Sequence, residues 1–220
     1  MWPLLSNGLR DLLIQPHCPV CQKPVDTSGM AAAPCDQCMK VLGLPEHPLE
    51  GSSPLRWLAA AAYEGRFRTL LLQLRQHRKS DQIAALSWRL RSCLPSHAVL
   101  VPVPNWKQAS RRNPLPELLM HALDREHLPL LQRRRPCLGQ HHLNRQQRWQ
   151  NQQHSFGCDL DAARGIIWNS REAWIVDDIV TTGSTACAAA SALRQSGIPV
   201  AGVVCLGRTP AQARRQTAVL

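Results

Sequence analysis

The second half of the chain shows the clearest alternation of apolar and polar segments, and this pattern predicts strands that alternate with helices. Short apolar runs at residues 98–104, 174–176 and 198–206 have the composition of buried parallel strands. Residues 114–126 and 184–195 read as helices, the first opened by two prolines and the second rich in alanine. Strands and helices in this order, joined by turn-rich segments, are typical of a parallel α/β sheet. The predicted fold class is therefore α/β.

The first half of the chain has a weaker pattern. Five leucines close to helical spacing predict a short amphipathic helix at residues 3–14. Residues 42–54 contain two glycines and three prolines, which indicates a linker. Residues 56–65 form a candidate strand, although their four consecutive alanines also suit the start of a helix. Further helices are predicted at residues 69–76 and 81–91, and a short strand at residues 128–131.

Composition excludes two broad classes of protein. The chain has 220 residues, of which 44% are hydrophobic and 19% charged, so it can bury a core and is not disordered. No apolar run approaches the roughly 20 residues that span a bilayer, which argues against membrane insertion. The N-terminal residues include Asp11 and lack the basic region and cleavage site of a signal peptide. We therefore expect a cytoplasmic protein.

The charge of the chain predicts a polyanionic partner. Lysine and arginine number 26 against 15 for aspartate and glutamate, a formal net charge of +11, and 22 of the 26 basic residues are arginine. Guanidinium groups suit phosphate because they offer a planar fork of donors. A nucleic acid and a phosphorylated small molecule both fit this charge, and simple colloidal solubility is the alternative explanation.

Four of the nine cysteines form two closely spaced pairs that suit one metal ion. Two C-x-x-C pairs separated by thirteen residues can supply four thiolates to a tetrahedral Zn²⁺. The alternatives are disulfides, which need an oxidising compartment, and a site that has lost its metal. Four cysteine ligands leave no open coordination position, so this zinc would be structural. The predicted metal ligands are Cys18, Cys21, Cys35 and Cys38.

The segment at residues 173–193 carries the strongest indication of chemistry. An apolar strand ends in Asp177 and Asp178, a loop of small hydroxylated residues with one glycine follows at residues 181–185, and an alanine-rich helix then begins. The free N–H groups and the dipole of a helix N-terminus favour a phosphate there. Two carboxylates one step upstream can accept hydrogen bonds from a diol. Phosphate beside a diol describes a ribose 5-phosphate.

Residues 173–185, AWIVDDIVTTGST, resemble the phosphoribosyl pyrophosphate (PRPP) motif of the type I phosphoribosyltransferases. The resemblance implies a type I phosphoribosyltransferase-like parallel sheet flanked by helices. It also implies that Asp177 and Asp178 are the catalytic residues, which contact the ribose hydroxyls, and that the following loop holds the 5-phosphate. By position, the implied PRPP-binding residues are Asp177, Asp178, Thr181, Thr182, Gly183, Ser184 and Thr185.

The order of the parts along nearly the whole chain narrows the resemblance to the ComF/GntX family. Members of that family join an N-terminal four-cysteine zinc module to a phosphoribosyltransferase-like domain. This implies a first domain at residues 1–54, with the N-terminal helix, the zinc module and the linker, and a second at residues 55–220. VPVP at residues 101–104 resembles the family's pyrophosphate loop. The family's R-x-R-x4-Q-x2-L-x4-R-x2-N-x4-F segment is matched by Arg133, Arg135, Gln140, Leu143, Arg148, Asn151 and Phe156.

One segment departs from the family pattern, and another is unusually basic. After VPVP the family continues with R-G-F-N-Q, whereas residues 112–116 read RNPLP, so binding there is expected to be altered. Residues 127–158 contain no acidic residue but five arginines. They suit a mobile hood over a pyrophosphate, a surface for a nucleic-acid backbone, or a solvated linker. The arginines implied as pyrophosphate or hood contacts are Arg112, Arg133, Arg135 and Arg148.

Two functional hypotheses follow from these observations. The first is an enzyme that transfers a 5-phosphoribosyl group from PRPP to a nitrogen nucleophile, with Mg²⁺ held mainly by the substrate's own oxygens. The second is a non-catalytic accessory protein of DNA uptake and natural transformation, which binds single-stranded DNA or a nucleotide ligand and works with DNA-uptake proteins. The ComF resemblance implies a role in natural transformation, where incoming single-stranded DNA is handled at the inner face of the membrane.

Overall fold

The structure is a computed structural model that describes residues 16–25, 33–105, 113–133, 155–164 and 168–210. The predicted helix at residues 3–14 lies outside the described residues. In chain order the elements are α1 (Asp36–Leu42), β1 (Leu49–Gly51), β2 (Trp57–Ala62), α2 (Gly65–Leu74), α3 (Ser80–Cys93), β3 (Ala98–Pro102), α4 (Leu115–Leu123), β4 (Leu131–Arg133), β5 (Phe156–Cys158), β6 (Glu172–Val180), α5 (Ser184–Gln195) and β7 (Val200–Arg208).

Five of the strands form one sheet in the order β1-β2-β7-β6-β3. Strands β2, β7, β6 and β3 run parallel, and only the short edge strand β1 is antiparallel. Strands β4 and β5 form a separate antiparallel pair. The sheet is therefore mostly parallel, and the predicted α/β class is confirmed.

Helices cover both faces of the main sheet, as the burial of its strands on both faces requires. On one face α2, α3 and α4 pack their leucine, isoleucine and phenylalanine side chains against Trp174 and Val176 of β6. On the other face α5 packs Ala186, Ala189 and Leu193 against Ile175 of β6. Because alanines face the sheet, α5 can approach it closely. This packing holds the beginning of α5 near the carboxyl end of β6.

The strand at residues 57–62 shows how tertiary packing decides an ambiguous sequence. Its four alanines also suited a helix, but the segment pairs in parallel with β7 over the register from Trp57 to Ala62. Ala59 lies on the α5 face and Ala60 on the opposite face, and Ala61 is buried as well. The small side chains fill a central strand that is covered on both sides.

The region between α1 and β2 differs in part from the predicted linker. The predicted segment, residues 42–54, contains strand β1, which pairs with β2 through Leu49, opposite Ala59. Helix α1 ends at Gly43, whose φ of 63° is the left-handed conformation that glycine adopts readily. The glycines and prolines of residues 42–54 predicted a linker because both are frequent in turns. Pairing with β2 nevertheless makes residues 49–51 of this segment a strand.

The cysteine-bearing segment packs on the helical face of α2, α3 and α4. Val20, Leu42 and Leu44 contact the core cluster of that face. The side chain of Gln82 in α3, buried at 8% exposure, donates to the backbone carbonyl of Val20 at 3.1 Å. The division into domains at residues 54 and 55 stays a prediction. Among the described residues, no helix is both long enough and apolar enough to cross a bilayer.

Candidate functional site

Strand β6 carries both acidic residues of the predicted site to the carboxyl end of the sheet. The strand reaches Val180, beyond the predicted segment 174–176, because it keeps pairing with β7. Side chains alternate between the two faces of a strand, so the two adjacent acids point to opposite faces. Asp177 lies with Ile175 on the face of α5, and Asp178 lies on the face of α2 and α4. The two carboxylates therefore have different surroundings.

The Asp178 carboxylate is buried and accepts hydrogen bonds from four neighbouring donor atoms. Its Oδ2 accepts from Nε and Nη2 of Arg75 at 2.8 and 2.7 Å and from Nδ2 of Asn113 at 2.6 Å. Its Oδ1 accepts the backbone N–H of Ile179 at 2.9 Å. The residue is 5% exposed. Three of these four donors converge on Oδ2, and together they compensate the buried charge.

The Asp177 carboxyl lies beside the carboxyl of its neighbour Asp178. Its Oδ1 accepts the backbone N–H of Asp178 at 2.9 Å, and the two side chains lie within hydrogen-bonding reach of each other. Burial, and then the negative charge of Asp178, raise the pKa of Asp177 well above its usual value. Cys205 lies opposite Asp177 in β7, and burial together with this carboxylate raises the pKa of its thiol. Asp177 thus keeps a proton to higher pH than a free aspartate does, because it is buried beside a second carboxyl.

The loop after β6 leads directly into the N-terminus of α5. Gly183, at φ 80°, is the N-cap of α5, and a Cβ atom at this position would lie 2.7 Å from Cγ of Pro54. Thr182 Oγ1 donates to Oγ of Ser184 at 3.1 Å and accepts the backbone N–H of Ser184 at 3.4 Å. The first N–H groups of an α-helix lack intrahelical acceptors and carry its positive dipole end. This loop and the helix start contain Thr181, Thr182, Gly183, Ser184 and Thr185, and their role as ligand-binding residues stays a prediction.

Arg208 at the end of β7 fastens this loop to the sheet. Its Nη1 donates to the backbone carbonyl of Val180 at 3.0 Å and to that of Thr181. Its guanidinium carbon lies 5.3 Å from the centre of a Trp57 ring. The backbone N–H of Thr209 also donates to the carbonyl of Val180, at 3.0 Å, whereas its buried Oγ1 has no partner among the described residues. The base of the loop is therefore held by the last residue of β7 and by the residue that follows it.

The four predicted metal ligands converge on one point, which confirms that the two C-x-x-C pairs act together. All four sulfur atoms lie within 4.8 Å of one another. The Sγ–Sγ distances are 3.8 Å for Cys18 to Cys38 and 3.8 Å for Cys21 to Cys35, too long for disulfides. Zn–S bonds of about 2.3 Å in a tetrahedron place the sulfurs about 3.8 Å apart. The cluster therefore fits Zn²⁺.

The backbone around Cys18 prepares its sulfur for a metal. Burial alone would raise the pKa of this thiol, but backbone N–H groups of Cys21, Cys35 and Val20 lower it to about 6. The N–H of Cys35 lies 3.3 Å from the sulfur. Burial and the neighbouring thiols raise the pKa of Cys38 in the absence of a metal. A divalent cation would remove this conflict because it binds all four sulfurs as thiolates.

Of the four predicted pyrophosphate or hood arginines, the structure describes only Arg133. This residue lies in β4 directly opposite Phe156 of β5, with its guanidinium carbon 4.7 Å from the Phe156 ring centre. Its Nε donates to the backbone carbonyl of Pro104 at 2.9 Å, which joins the β4–β5 pair to the chain after β3. A role for these arginines at a pyrophosphate stays a prediction. The other three, Arg112, Arg135 and Arg148, lie outside the described residues.

The segment that departs from the family pattern begins helix α4. Pro114 is the N-cap residue and Pro116 lies in the first turn, where a missing N–H costs no hydrogen bond. Asn113 precedes them, and its Oδ1 accepts the backbone N–H of Leu115 at 3.2 Å while its Nδ2 reaches Asp178. The altered segment thus contributes a residue to the site.

Sequence reasoning missed Arg75 and Arg208, the two described arginines that touch the carboxyl end of β6 or its loop. Arg75 lies 103 residues before Asp178, and its position after an amphipathic helix resembles that of many surface arginines. Arg208 ends the last strand, where a single basic residue has no special meaning in sequence. Neither residue carries a local signal that could have placed it at the site.

Comparison with known proteins finds relatives that share a name. No protein-family profile matches the chain. The chain is 28% identical over 214 residues to proteins named "DNA utilization protein YhgH" from Salmonella typhi, Escherichia coli (strain K12) and Shigella flexneri. Each alignment covers 87% of this chain and 84% of the relative. The chain is thus similar, over most of its length, to bacterial proteins named for DNA utilization.

Proposed function

We propose that the carboxyl end of β6 binds a ribose 5-phosphate ligand of the PRPP type. The observation that carries this proposal is the position of Asp177 at the carboxyl end of the same strand that leads into the Gly183 loop and the N-terminus of α5. The loop supplies backbone N–H groups for a phosphate, and Asp177 supplies an acceptor for a ribose hydroxyl. Ligands of open α/β sheets bind at this end of the strands.

Transfer of the phosphoribosyl group is the reaction that such a site would support. The bond from C1′ to the pyrophosphate oxygen breaks with its electron pair leaving on pyrophosphate, a nitrogen lone pair forms the new C1′–N bond, and the nitrogen loses a proton to solvent. Asp177 would help to hold the ribose while positive charge develops at C1′. Mg²⁺ would enter with the ligand, bound mainly by phosphate oxygens and water.

Calorimetric titration with PRPP and Mg²⁺ tests the proposed ligand. We expect one site in the wild-type protein and no measurable binding in the variant Thr182→Val with Gly183→Val, because that variant loses a hydroxyl and adds side-chain bulk against Pro54. A matched control, Thr69→Val with Gly197→Val, makes the same changes at an exposed threonine and at another glycine of positive φ. Equal affinity in the loop variant and the wild type would contradict the proposal.

A second candidate function, direct binding of single-stranded DNA, is favoured by the printed name of the relatives and by the net charge of +11. We expect weak binding without sequence preference, because the sequence contains no motif that reads bases. Fluorescence anisotropy across a salt series tests it. If arginines of the basic segment 127–158 follow a DNA backbone, each arginine changed to glutamine lowers the salt slope by about 0.7. An unchanged slope in the variant of Arg133, Arg135, Arg145 and Arg148 would exclude that surface.

A further inference from the structure

Arg75 has more hydrogen-bonding capacity than its buried partner uses. The residue follows α2 as its C-cap, and its backbone N–H donates to the carbonyl of Leu71 at 3.1 Å, so its backbone is fixed. Its side chain remains 37% exposed, although the Asp178 side chain that it contacts is only 8% exposed. The guanidinium therefore lies between the protein interior and the solvent.

The contact with Asp178 uses one edge of the guanidinium. Nε and Nη2 both reach the same carboxylate oxygen, at 2.8 and 2.7 Å. Since guanidinium is planar with five N–H donors, the two donors of Nη1 are left, and among the described residues they meet no acceptor. A fixed arginine with a free, partly exposed donor pair is suited to bind an anion.

Asp178 in turn is suited to anchor Arg75 rather than to bind a ligand. Its Oδ2 accepts three hydrogen bonds, from Arg75 and Asn113, and its Oδ1 accepts the N–H of Ile179. A ribose hydroxyl at Oδ2 would have to displace one of these donors from a buried carboxylate. Asp177 is the more exposed of the two acids. The two adjacent acids thus differ in what they can offer to a ligand.

The surroundings of Arg75 place it at the ligand end of the sheet. Asn113 joins Asp178 to the chain that follows β3, because Nδ2 of Asn105 donates to the carbonyl of Asn113 at 3.0 Å. Arg75, Asn105 and Asn113 therefore gather where β3 and β6 end, and β6 leads directly from there into the loop at residues 181–185. An anion bound by Arg75 would be separate from a phosphate on that loop.

We propose that Arg75, held in place by Asp178 and Asn113, binds the pyrophosphate group of a PRPP-type ligand, while the loop at residues 181–185 binds the 5-phosphate. This inference rests on the proposed function of the site. It assigns the pyrophosphate and the 5-phosphate of one ligand to two different parts of the carboxyl end of the sheet. It also makes Asp177 the acceptor for the ribose hydroxyls and Asp178 a positioning residue.

Three probes separate these assignments: PRPP, ribose 5-phosphate and inorganic pyrophosphate, each with Mg²⁺. We expect Arg75→Gln to weaken PRPP and pyrophosphate binding about 10- to 100-fold, because charge-assisted hydrogen bonds are lost. Ribose 5-phosphate affinity should change less than about twofold, since its phosphate contacts the loop. Arg78→Gln makes the same charge change at a surface residue whose Nη2 lies 3.5 Å from Glu117, and all three affinities should stay within about twofold.

Two further variants test the positioning role. Arg75→Lys keeps the charge but loses the fork, so it should recover part of the PRPP affinity that Arg75→Gln loses. Asp178→Asn leaves Arg75 without its anionic anchor and should also weaken PRPP more than ribose 5-phosphate. If Arg75→Gln does not fold, the ratio of PRPP to ribose 5-phosphate affinity in Arg75→Lys gives the same test.

Each contrary outcome has a distinct meaning. If the wild type binds none of the three probes, the proposed function is wrong and this inference is wrong with it. If the wild type binds PRPP but Arg75→Gln binds it equally well, the inference alone is overturned. An equal loss of PRPP and ribose 5-phosphate affinity would also overturn it, because Arg75 would then support the whole site rather than contact pyrophosphate.

Discussion

The cysteine cluster and the carboxyl end of β6 are both polar clusters in a folded chain, but only the first is complete once a single ion is supplied. The four sulfurs face one another within 4.8 Å, and no coordination position remains for a substrate. At the end of β6, Arg75 and Asn113 donate to Asp178, whereas the first N–H groups of α5 have no intrahelical acceptors. A closed polar cluster stabilises the fold, and an open one indicates a ligand.

The comparison predicts that disruption of the cysteine cluster has the largest effect on folding. Cys38→Ser should release the metal and lower the free energy of unfolding by about 4–5 kcal/mol, since metal binding is coupled to folding. Chemical unfolding together with zinc analysis of the purified protein measures both effects. Cys93→Ser is the matched control, because Cys93 is exposed and lies outside the cluster. Wild-type zinc content and stability in Cys38→Ser would contradict a structural role for the cysteine cluster.

The next largest effect is expected at Gly183, where a folding cost and a binding loss coincide. Gly183→Ala places a Cβ at φ 80° and 2.7 Å from Pro54, which should cost about 2–3 kcal/mol and displace the loop. Gly197→Ala introduces similar backbone strain at φ 77° but meets no atom within 4 Å, so about 1 kcal/mol is expected there. Ribose 5-phosphate affinity should fall only in Gly183→Ala. Equal affinities in the two variants would remove the loop from the site.

Asp177→Asn should raise the stability of the protein at neutral pH while it weakens ligand binding. The pKa of Asp177 is raised in the folded state, so between about pH 4, its unfolded value, and the raised folded value the folded protein holds more protons. Stability from this group therefore falls as pH rises through that window. Asparagine has no such charge, so the variant should be more stable than the wild type at pH 7.

Unfolding curves from pH 4 to pH 8 check the difference between wild type and Asp177→Asn, and ribose 5-phosphate titration checks the loss of an acceptor. Asp178→Asn is the comparison, because it loses a charged hydrogen-bonding partner of Arg75 and should be destabilised by about 1–3 kcal/mol at pH 7. A destabilised Asp177→Asn at pH 7 would show that this carboxylate is satisfied by the protein itself.

The smallest effect is expected at Arg208, which supports the loop from β7. Arg208→Lys keeps the charge but cannot present the same planar donors to the carbonyls of Val180 and Thr181. Ribose 5-phosphate affinity should fall about 2- to 5-fold, with a stability change under about 1 kcal/mol. Arg194→Lys, which changes an exposed donor to the carbonyl of Val200, is the control. Unchanged affinity in Arg208→Lys would show that the loop keeps its shape without this support.

Local features of the fold could be predicted from the sequence, and pairings between distant segments could not. Helix α5 begins and ends at the predicted residues, Ser184 and Gln195, because its alanine-rich sequence and the preceding glycine are local signals. Strand β6 is longer than the predicted 174–176, since pairing of Asp177 with Cys205 and Ile179 with Gly207 extends it. Two acids in a row lower strand propensity, and the sheet overrides it.

The functional residues also divide into those with a local signal and those without one. The four cysteines and the strand–loop–helix segment at residues 173–193 have a spacing and a composition that indicate their chemistry. The ion pair of Arg75 with Asp178 joins residues 103 positions apart, and many other arginines of this chain could have served equally well in sequence. Because side chains alternate along β6, Asp177 and Asp178 have different surroundings, although their adjacency in the sequence suggested one shared role. Only the packing of α2 and α4 on one face shows this difference.

A crystal structure of the protein with ribose 5-phosphate tests the central claim most directly. We expect the phosphate to lie on the backbone N–H groups at residues 181–185 and a ribose hydroxyl to donate to Oδ2 of Asp177. We also expect the contacts of Asp178 with Arg75 and Asn113 to be retained. A phosphate bound at another basic surface, with the loop vacant at saturating ligand, would contradict the account.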